Sequence, residues 1–348
     1  MKILILGGTA FLGRHLVDAA LAGGHEVTVF NRGRHDAPRR GVEWLLGDRA
    51  NNLSALAGLR WDAVVDTSGY VPSQVRVSAV QLAGQVAHYT FVSTLSVYAS
   101  STQGPVDESG ALEQVPPERL KALEAIVPEG AVTALHYGDM YGGLKALCER
   151  AVQDVMGGRA FIVRPGLIVG PYDYTDRFTY WVSRVARGGE VLAPGDPQRS
   201  RRFIDVRDLS EWILASIVAN RNGIYNATGP DYDLTMGRVL DECQKVSGSD
   251  AQFTWVDDDF LVAHGADPWI GVPLWVPRTE SPPSLRATYD RAQKEGLRYR
   301  PLADTIRDTL EWDRTRPADR QRQAGIPSAQ ERALLSAWHA GARSGTTG

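Results

Sequence analysis

The amino-acid sequence predicts an α/β protein, a doubly wound parallel sheet followed by a smaller C-terminal lobe. Three observations carry this. Short apolar runs alternate with helical segments through the first half, the pattern of repeated βα units that pack as a parallel sheet between helices. The first run ends in a glycine cluster directly before a helix. After about residue 170 the alternation stops, Pro, Trp and Arg become more frequent, and helical segments are separated by turns.

Taken in order, Lys2-Ile3-Leu4-Ile5-Leu6 is a buried parallel strand. Gly7-Gly8-Thr9-Ala10-Phe11-Leu12-Gly13 is a turn, because three glycines in seven residues do not suit a helix interior, and apolar residues return at helical spacing from Phe11 to Leu21. A helix starting at a strand end offers free backbone N–H groups and a positive dipole end to a phosphate. Ala10 stands where such a turn usually has the glycine that lets backbone approach a pyrophosphate. The other reading is a tight strand–helix connection without ligand. Further strands are expected at 25–33, 41–48, 61–69, 88–98 and 160–170. The fourth strand leads into a helix with apolar face Val75, Val77, Val80, Leu82 and Val86, and residues 144–156 form another helix. Beyond them, helices are expected at 177–187, 207–220 and 234–247. The domains are then 1–170, a dinucleotide-binding Rossmann-type unit; 171–315, mainly a substrate-binding lobe with some segments returning to the core; and 316–348, an extension whose end, residues 342–348, frays.

At 348 residues with 43% hydrophobic and 23% charged content, the chain supports a sizeable core. A formal net charge of −3 gives no electrostatic footprint for nucleic acid. Cys148 and Cys243 lack metal-ligand spacing and read as buried thiols of a reducing compartment. The apolar start is too short for a signal peptide and no run approaches a membrane span, so a cytoplasmic protein acting on a small molecule is expected, with neither metal, membrane nor nucleic acid as partner. A homodimer is compatible with this reading.

Tyr141 and Lys145, at i and i+4, lie on one helical face. A lysine ammonium near a phenol favours the phenolate and makes tyrosine a usable general acid or base. Taken alone, the pair reads first as a surface pair, because Tyr-x-x-x-Lys is common. Upstream, "FVSTLSVYAS" places Ser93, Thr94 and Ser96 at the end of the fifth strand, where a hydroxyl either orients a substrate carbonyl or satisfies turn N–H groups.

These motifs, in this order, resemble the extended short-chain dehydrogenase/reductase family of NAD(P)-dependent epimerase/dehydratase type, over roughly residues 1 to 315. The match runs through the glycine turn, Gly47-Asp48, "DAVVDTSG", "STLSVY" followed by "PVDES", Tyr141 and Lys145, "RPGLIVGP", "RRFIDVRDL", "GIYNATG" and a closing helix in 296–312. The resemblance implies a catalytic hydroxyl at Thr94, with Ser93 the second choice, Tyr141 as proton donor or acceptor, and Lys145 holding the nicotinamide ribose. It implies cofactor contacts from Gly7, Thr9, Ala10, Phe11, Leu12 and Gly13 at the pyrophosphate. Asp48 and Arg49 take the adenine side, Ser68 and Gly69 the ribose path, and Pro165 and Gly166 the nicotinamide. Ser96, Leu167, Arg201 and Trp275 are the substrate-facing candidates. Leu167 departs from an asparagine common in nucleotide-sugar members. Arg201 matches an arginine used there on a substrate phosphate, or pairs structurally with an acid such as Asp205.

At the end of the second strand, Asn31, Arg32 and Arg34 replace the acid that binds a ribose 2′-OH in NAD sites. Arginine suits a phosphate, so NADP is preferred and NAD is the alternative. The leading expectation is an NAD(P)-dependent oxidoreductase (a reductase or dehydrogenase) moving hydride between nicotinamide and a small carbonyl or alcohol. The alternatives are an NAD-dependent nucleotide-sugar epimerase and a non-catalytic nucleotide- or RNA-binding member, the latter because "GGTAFLGRHL" also resembles chloroplast RNA-binding members of the superfamily. Dehydratase chemistry is disfavoured, since Leu95-Ser96 replaces the Asp-Glu pair that follows the catalytic threonine there.

Overall fold

A computed structural model describes residues 1–34, 39–126, 134–280 and 282–344. In chain order the larger elements are β1 (Lys2–Leu6), α1 (Phe11–Ala22), β2 (Glu26–Asn31), β3 (Glu43–Leu46), β4 (Trp61–Asp66), α2 (Pro72–Leu82), β5 (Val86–Val92), α3 (Pro117–Glu124), α4 (Tyr141–Met156) and β6 (Ala160–Pro165). There follow β7 (Leu167–Val169), α5 (Thr179–Ala186), β8 (Glu190–Pro194), β9 (Phe203–Asp205), α6 (Val206–Val218), β10 (Gly223–Ala227), α7 (Met236–Ser247), β11 (Gln252–Val256) and α8 (Asp258–Ala263). The chain ends with α9 (Pro283–Arg286), α10 (Asp290–Lys294), α11 (Leu302–Arg314) and α12 (Ser328–Ser344). Of the fraying expected at 342–348, residues 342–344 close α12 and 345–348 lie outside the described residues.

Two compact units divide these elements. The first comprises Met1–Gly166, Val206–Thr228 and Pro282–Arg298. Its seven-stranded sheet has the order β10-β6-β5-β4-β1-β2-β3, with every neighbouring pair parallel. Parallel strands covered on both faces read as continuous apolar runs, and β1 shows why. Leu4 and Leu6 join a core under α2 and α4. Ile3 and Ile5, pointing the other way, are equally buried, and α1 and α6 pack together to complete the cover. This is the doubly wound, Rossmann-type sheet that the sequence predicts.

Several elements differ from expectation. The fifth strand stops at Val92, six residues before the expected Tyr98, because Thr94 starts a short 3-10 turn over Leu95–Val97. On α2 the buried face is Val75, Ser78, Ala79 and Leu82, whereas Val77 and Val80 are exposed and Val86 belongs to β5. The second unit, Leu167–Asp205, Gly229–Ser281 and Tyr299–Gly348, holds two short parallel pairs, β7 with β9 and β8 with β11, that helical periodicity did not reveal. Its core gathers Phe178, Trp181, Val239, Leu240, Trp275 and Ile306. The extension after residue 315 is tied into it, as Arg184 Nε donates to both Glu331 carboxylate oxygens at 2.9 and 2.7 Å. Among the described residues no helix is long and apolar enough to cross a membrane.

One buried ion pair pins α4 to the sheet. Arg164 on β6 donates to Glu149 through Nε (2.9 Å) and Nη2 (2.6 Å), with both side chains almost fully buried. Arg164 Nη1 reaches the Tyr98 hydroxyl (3.0 Å), which donates to Asn226 on β10 (2.6 Å). Removing one partner of such a pair leaves an uncompensated buried charge, which typically costs about 3–5 kcal/mol. Glu149→Ala is therefore expected to lower the unfolding free energy read from urea melts by that order. Asp154→Ala, which breaks an exposed pair with Arg76, should cost less than about 1 kcal/mol. Equal shifts for the two variants would contradict this account.

Candidate active site

The glycine turn adopts a backbone that only part of its sequence could tolerate with side chains. Gly7 and Gly8 have φ of +113° and +85°, and a side-chain carbon on Gly7 would collide with Thr67 Oγ1. A Cβ on Gly13 would lie 2.6 Å from the Gly8 backbone nitrogen. Ala10, by contrast, sits at φ −97°, ψ −176°, ordinary extended backbone, and is exposed. Its methyl therefore strains nothing in the turn, which explains why alanine can stand there. No side chain caps α1 at Ala10, so its first N–H groups face outward from the carboxyl end of β1. Phe11 is half-buried while Leu12 and Gly13 are buried, so the turn is seated on the sheet. This cradle fits a pyrophosphate.

The loop after β4 is fixed to the same strand end. Thr67 N and Oγ1 donate to the Leu6 carbonyl at 3.2 and 2.9 Å, and the Ser68 hydroxyl reaches it at 3.3 Å. Gly69 is required, since a Cβ there would lie 2.6 Å from the Phe91 ring. Arg49 sends its guanidinium inward to grip Asp66 bidentately, at 2.7 and 2.8 Å, and also reaches Ser68 and Ser78. Burial raises the Asp66 carboxyl, but the Arg49 charge and hydrogen bonds outweigh it and hold the pKa below the ordinary value. The Arg49 side chain is thus committed to the fold, a role the sequence reading missed. The neighbouring Asp48 accepts from Ala50 N at 3.0 Å, and Gly47 packs on the Phe30 ring.

Tyr141 is the first residue of α4 and half-buried; Lys145, one turn on, is buried. Lys145 Nζ donates to the Gly69 and Val92 carbonyls, each at 2.7 Å. Desolvation lowers its pKa to about 8, partly offset by Cys148, Asp66 and Glu149. The start of α4 rests on the 3-10 turn after β5: a side-chain carbon on Gly142 would collide with the Ser96 carbonyl. Thr94 Oγ1 accepts from Ser96 N at 3.1 Å, leaving the Thr94 hydroxyl proton available to donate elsewhere. Ser96 is exposed. Ser93 is buried and its hydroxyl finds no partner among the described residues. The first unit therefore gathers the glycine turn, Ser68, Gly69, Thr94, Tyr141 and Lys145 around the carboxyl ends of β1, β4 and β5. Pro165 ends β6, and Gly166 is held against Thr228.

At the end of β2, the Asn31 amide is fully engaged. Nδ2 donates to the Gly7 carbonyl (2.9 Å) and Thr9 Oγ1 (3.4 Å), while Oδ1 accepts from Gly33 N (2.8 Å) and the Trp44 indole (3.1 Å). It braces the glycine turn. Arg32 is half-buried and Arg34 exposed.

The remaining candidates belong to the second unit. Trp275 is fully buried in its core, and its indole donates to Asp258 at 2.8 Å; Leu167 packs at the edge of that core. Arg201 is buried without a carboxylate. Its Nη1 donates to the Ser200 carbonyl at 2.9 Å, but Nε and Nη2 find no acceptor among the described residues. Desolvation, with Arg199 adding repulsion, lowers its pKa to about 10. The acid at hand, Asp258, is instead held by Arg199. The alternative partner for Arg201, Asp205, accepts from Thr305 at 2.7 Å and lies 3.7 Å from Arg300. Among the described residues no group of His, Cys, Asp or Glu is arranged to hold a metal ion.

A doubly wound parallel sheet, a glycine turn after its first strand and a Tyr-x-x-x-Lys helix define a Rossmann-type, dinucleotide-binding class. More specifically, the chain belongs to the NAD dependent epimerase/dehydratase family, whose profile matches residues 3–228. It is 24% identical over 267 residues to the chloroplast stem-loop binding protein of 41 kDa b of Arabidopsis thaliana, covering 71% of this chain and 63% of that protein, so it spans less than two thirds of that relative's length. Solved structures of similar fold include the Bordetella bronchiseptica enzyme WbmH in complex with NAD+ (TM-score 0.65, 15% identity, covering 90% of this chain and 98% of that one). Another is UDP-glucose 4-epimerase of Thermotoga maritima with UDP-glucose (TM-score 0.63, 17% identity, 90% and 99%).

The turn's geometry generates a paired prediction. Gly13→Val drives a branched side chain into the Gly8 backbone, so binding of NAD or NADPH, followed by tryptophan fluorescence, should be lost with the circular-dichroism spectrum retained. Ala10→Gly should bind as before, because glycine accepts the same backbone. Unchanged affinity in folded Gly13→Val would rule the turn out as the cofactor cradle.

Proposed function

We propose that the protein is an NADP(H)-dependent oxidoreductase acting on a carbonyl or alcohol substrate, with Tyr141 as general acid/base. The observation that carries this reading is the placement of Tyr141 and Lys145 on the first turns of α4, packed by Gly142 onto the turn that begins at Thr94. When bound, the nicotinamide supplies or accepts the hydride. The chain's own groups manage the rest. The glycine turn and the N-terminus of α1 hold the pyrophosphate. Lys145 donates toward the ribose and its charge lowers the Tyr141 pKa. Thr94 orients the substrate oxygen through its free hydroxyl proton, and Tyr141 gives that oxygen a proton in reduction or takes one in oxidation.

NADP is proposed over NAD because β2 ends without an acid, the Asn31 amide is spent on the turn, and Arg32 and Arg34 follow it, a residue type that suits a 2′-phosphate. The neighbouring structures named above include one with NAD+, so this choice is distinctive and testable. Arg32→Glu should shift the ratio of kcat/KM toward NADH; an unchanged ratio would mean that Arg32 does not touch the phosphate.

A second reading, a nucleotide-sugar epimerase retaining its NAD, is favoured by Arg201, whose Nε and Nη2 find no acceptor among the described residues and suit a substrate phosphate. Cofactor absorbance that survives dialysis supports the epimerase, and freely exchanging NADPH supports the reductase. For either chemistry, Tyr141→Phe should lower turnover by roughly 10²–10⁴-fold with cofactor affinity nearly unchanged. Lys145→Met should damage both, and Thr94→Val should slow turnover less than Tyr141→Phe. A Tyr141→Phe enzyme at full rate would show that another group handles the proton. A native protein that binds no cofactor and turns over no substrate would favour a binding role instead.

A further inference from the structure

We infer that Tyr70 is a positioning residue for the Tyr141–Lys145 pair: its ring fixes the Tyr141 ring on one side and gives the Lys145 ammonium a π face. This rests on the reading of Tyr141 as the general acid/base. Tyr70 follows Gly69 on the braced loop after β4, so its backbone is held by the contacts of Thr67 and Ser68 with Leu6. Its ring contacts two others. The Tyr137 ring is nearly parallel to it, at 17° and 6.1 Å between centroids, and the Tyr141 ring is tilted at 38° and 6.2 Å. Both separations fall within the range over which aromatic rings interact. Tyr137 is buried, so the stack has a fixed back wall.

The same ring faces the lysine. Lys145 Nζ lies 5.4 Å from the Tyr70 centroid and 4.1 Å from that of Phe91. Two of its three protons go to backbone carbonyls, one of them Gly69, the residue before Tyr70. An ammonium taken out of water needs compensation, and an aromatic face within about 6 Å supplies some of it. The charged and titratable groups around it are Asp66 on β4, Arg49 after β3, Cys148 and Glu149 on α4, and the tyrosines of the stack. The Cys148 thiol is pushed up to about 12 by burial, so it brings no negative charge near neutral pH. Asp66 is already bound to Arg49. Tyr70 thus adds a π face to the groups that support the lysine charge.

The test isolates the ionisation of Tyr141 as the difference in tyrosinate absorbance between a protein and its Tyr141→Phe version, titrated with pH in the full-length chain. In Tyr70→Leu the Lys145 charge loses a support and is lost at lower pH, so the Tyr141 midpoint should rise, by roughly half to one pH unit. Tyr70→Phe keeps the ring and should restore the native midpoint. An unchanged midpoint in Tyr70→Leu would overturn the proposal, as would a Tyr70→Phe midpoint displaced as far as that of the leucine variant. If Tyr70→Leu does not fold, Tyr70→Met, similar in reach but without a π face, is titrated instead and the same outcomes apply. Full turnover by Tyr141→Phe would defeat the acid/base reading itself, and it is recognised separately because the difference titration needs no substrate.

Discussion

Two backbone carbonyls, those of Gly69 and Val92, hold the Lys145 ammonium, and much of the first unit is arranged so that this can happen. The carbonyls come from the loop after β4 and the end of β5, and the lysine comes from α4, so three elements converge on one cation. A buried ammonium is costly unless its protons are accepted and negative charge or π density lies near. Both conditions are met here: Asp66 contributes charge from β4, and the Phe91 and Tyr70 rings flank Nζ. Arg49 holds Asp66 ionised, and Ser68 N and the Tyr89 hydroxyl donate to its remaining capacity. The site's electrostatics are therefore continuous with the sheet's interior.

The second constraint is steric. Glycine is needed where two backbones meet, Gly13 against Gly8 and Gly142 against Ser96, and where Gly166 lies against the Thr228 side chain. Each contact sets the distance between an element and the group it positions. Gly142 lets the first turn of α4 rest on the turn that Thr94 begins, which brings the tyrosine helix and the threonine turn into direct packing. A methyl group at Gly13 or Gly142 would push against backbone, whereas Ala10 is exposed. Loops can carry chemistry when a rigid scaffold holds them in this way.

Arg201 poses a different physical question. Its charge is buried, repelled by Arg199 and denied a carboxylate, because Asp258 is already taken. Two of its nitrogens, Nε and Nη2, find no acceptor among the described residues. A fold does not gain stability from such an arrangement. An anionic ligand would satisfy those nitrogens.

Local pattern alone determined the βα alternation, the glycine turn, and the order of Thr94, Tyr141 and Lys145, because strand burial, turn chemistry and helical spacing act over a few residues. The same locality explains the errors. Alternation could not show that Thr94 ends β5, since the hydroxyl that caps the following turn is also a good strand residue. It could not tell that Val77 and Val80 face solvent on α2, or that Trp275 is core, since both depend on what lies opposite. The inward turn of Arg49 onto Asp66, the Glu149–Arg164 pair and the place of Tyr70 beside Tyr141 join residues distant in sequence. A carboxylate four residues after Lys145 was the one visible hint of the Glu149 pair. Only the tertiary structure decided these partners, because a buried charge takes whichever counter-charge the packed sheet and helices bring within reach.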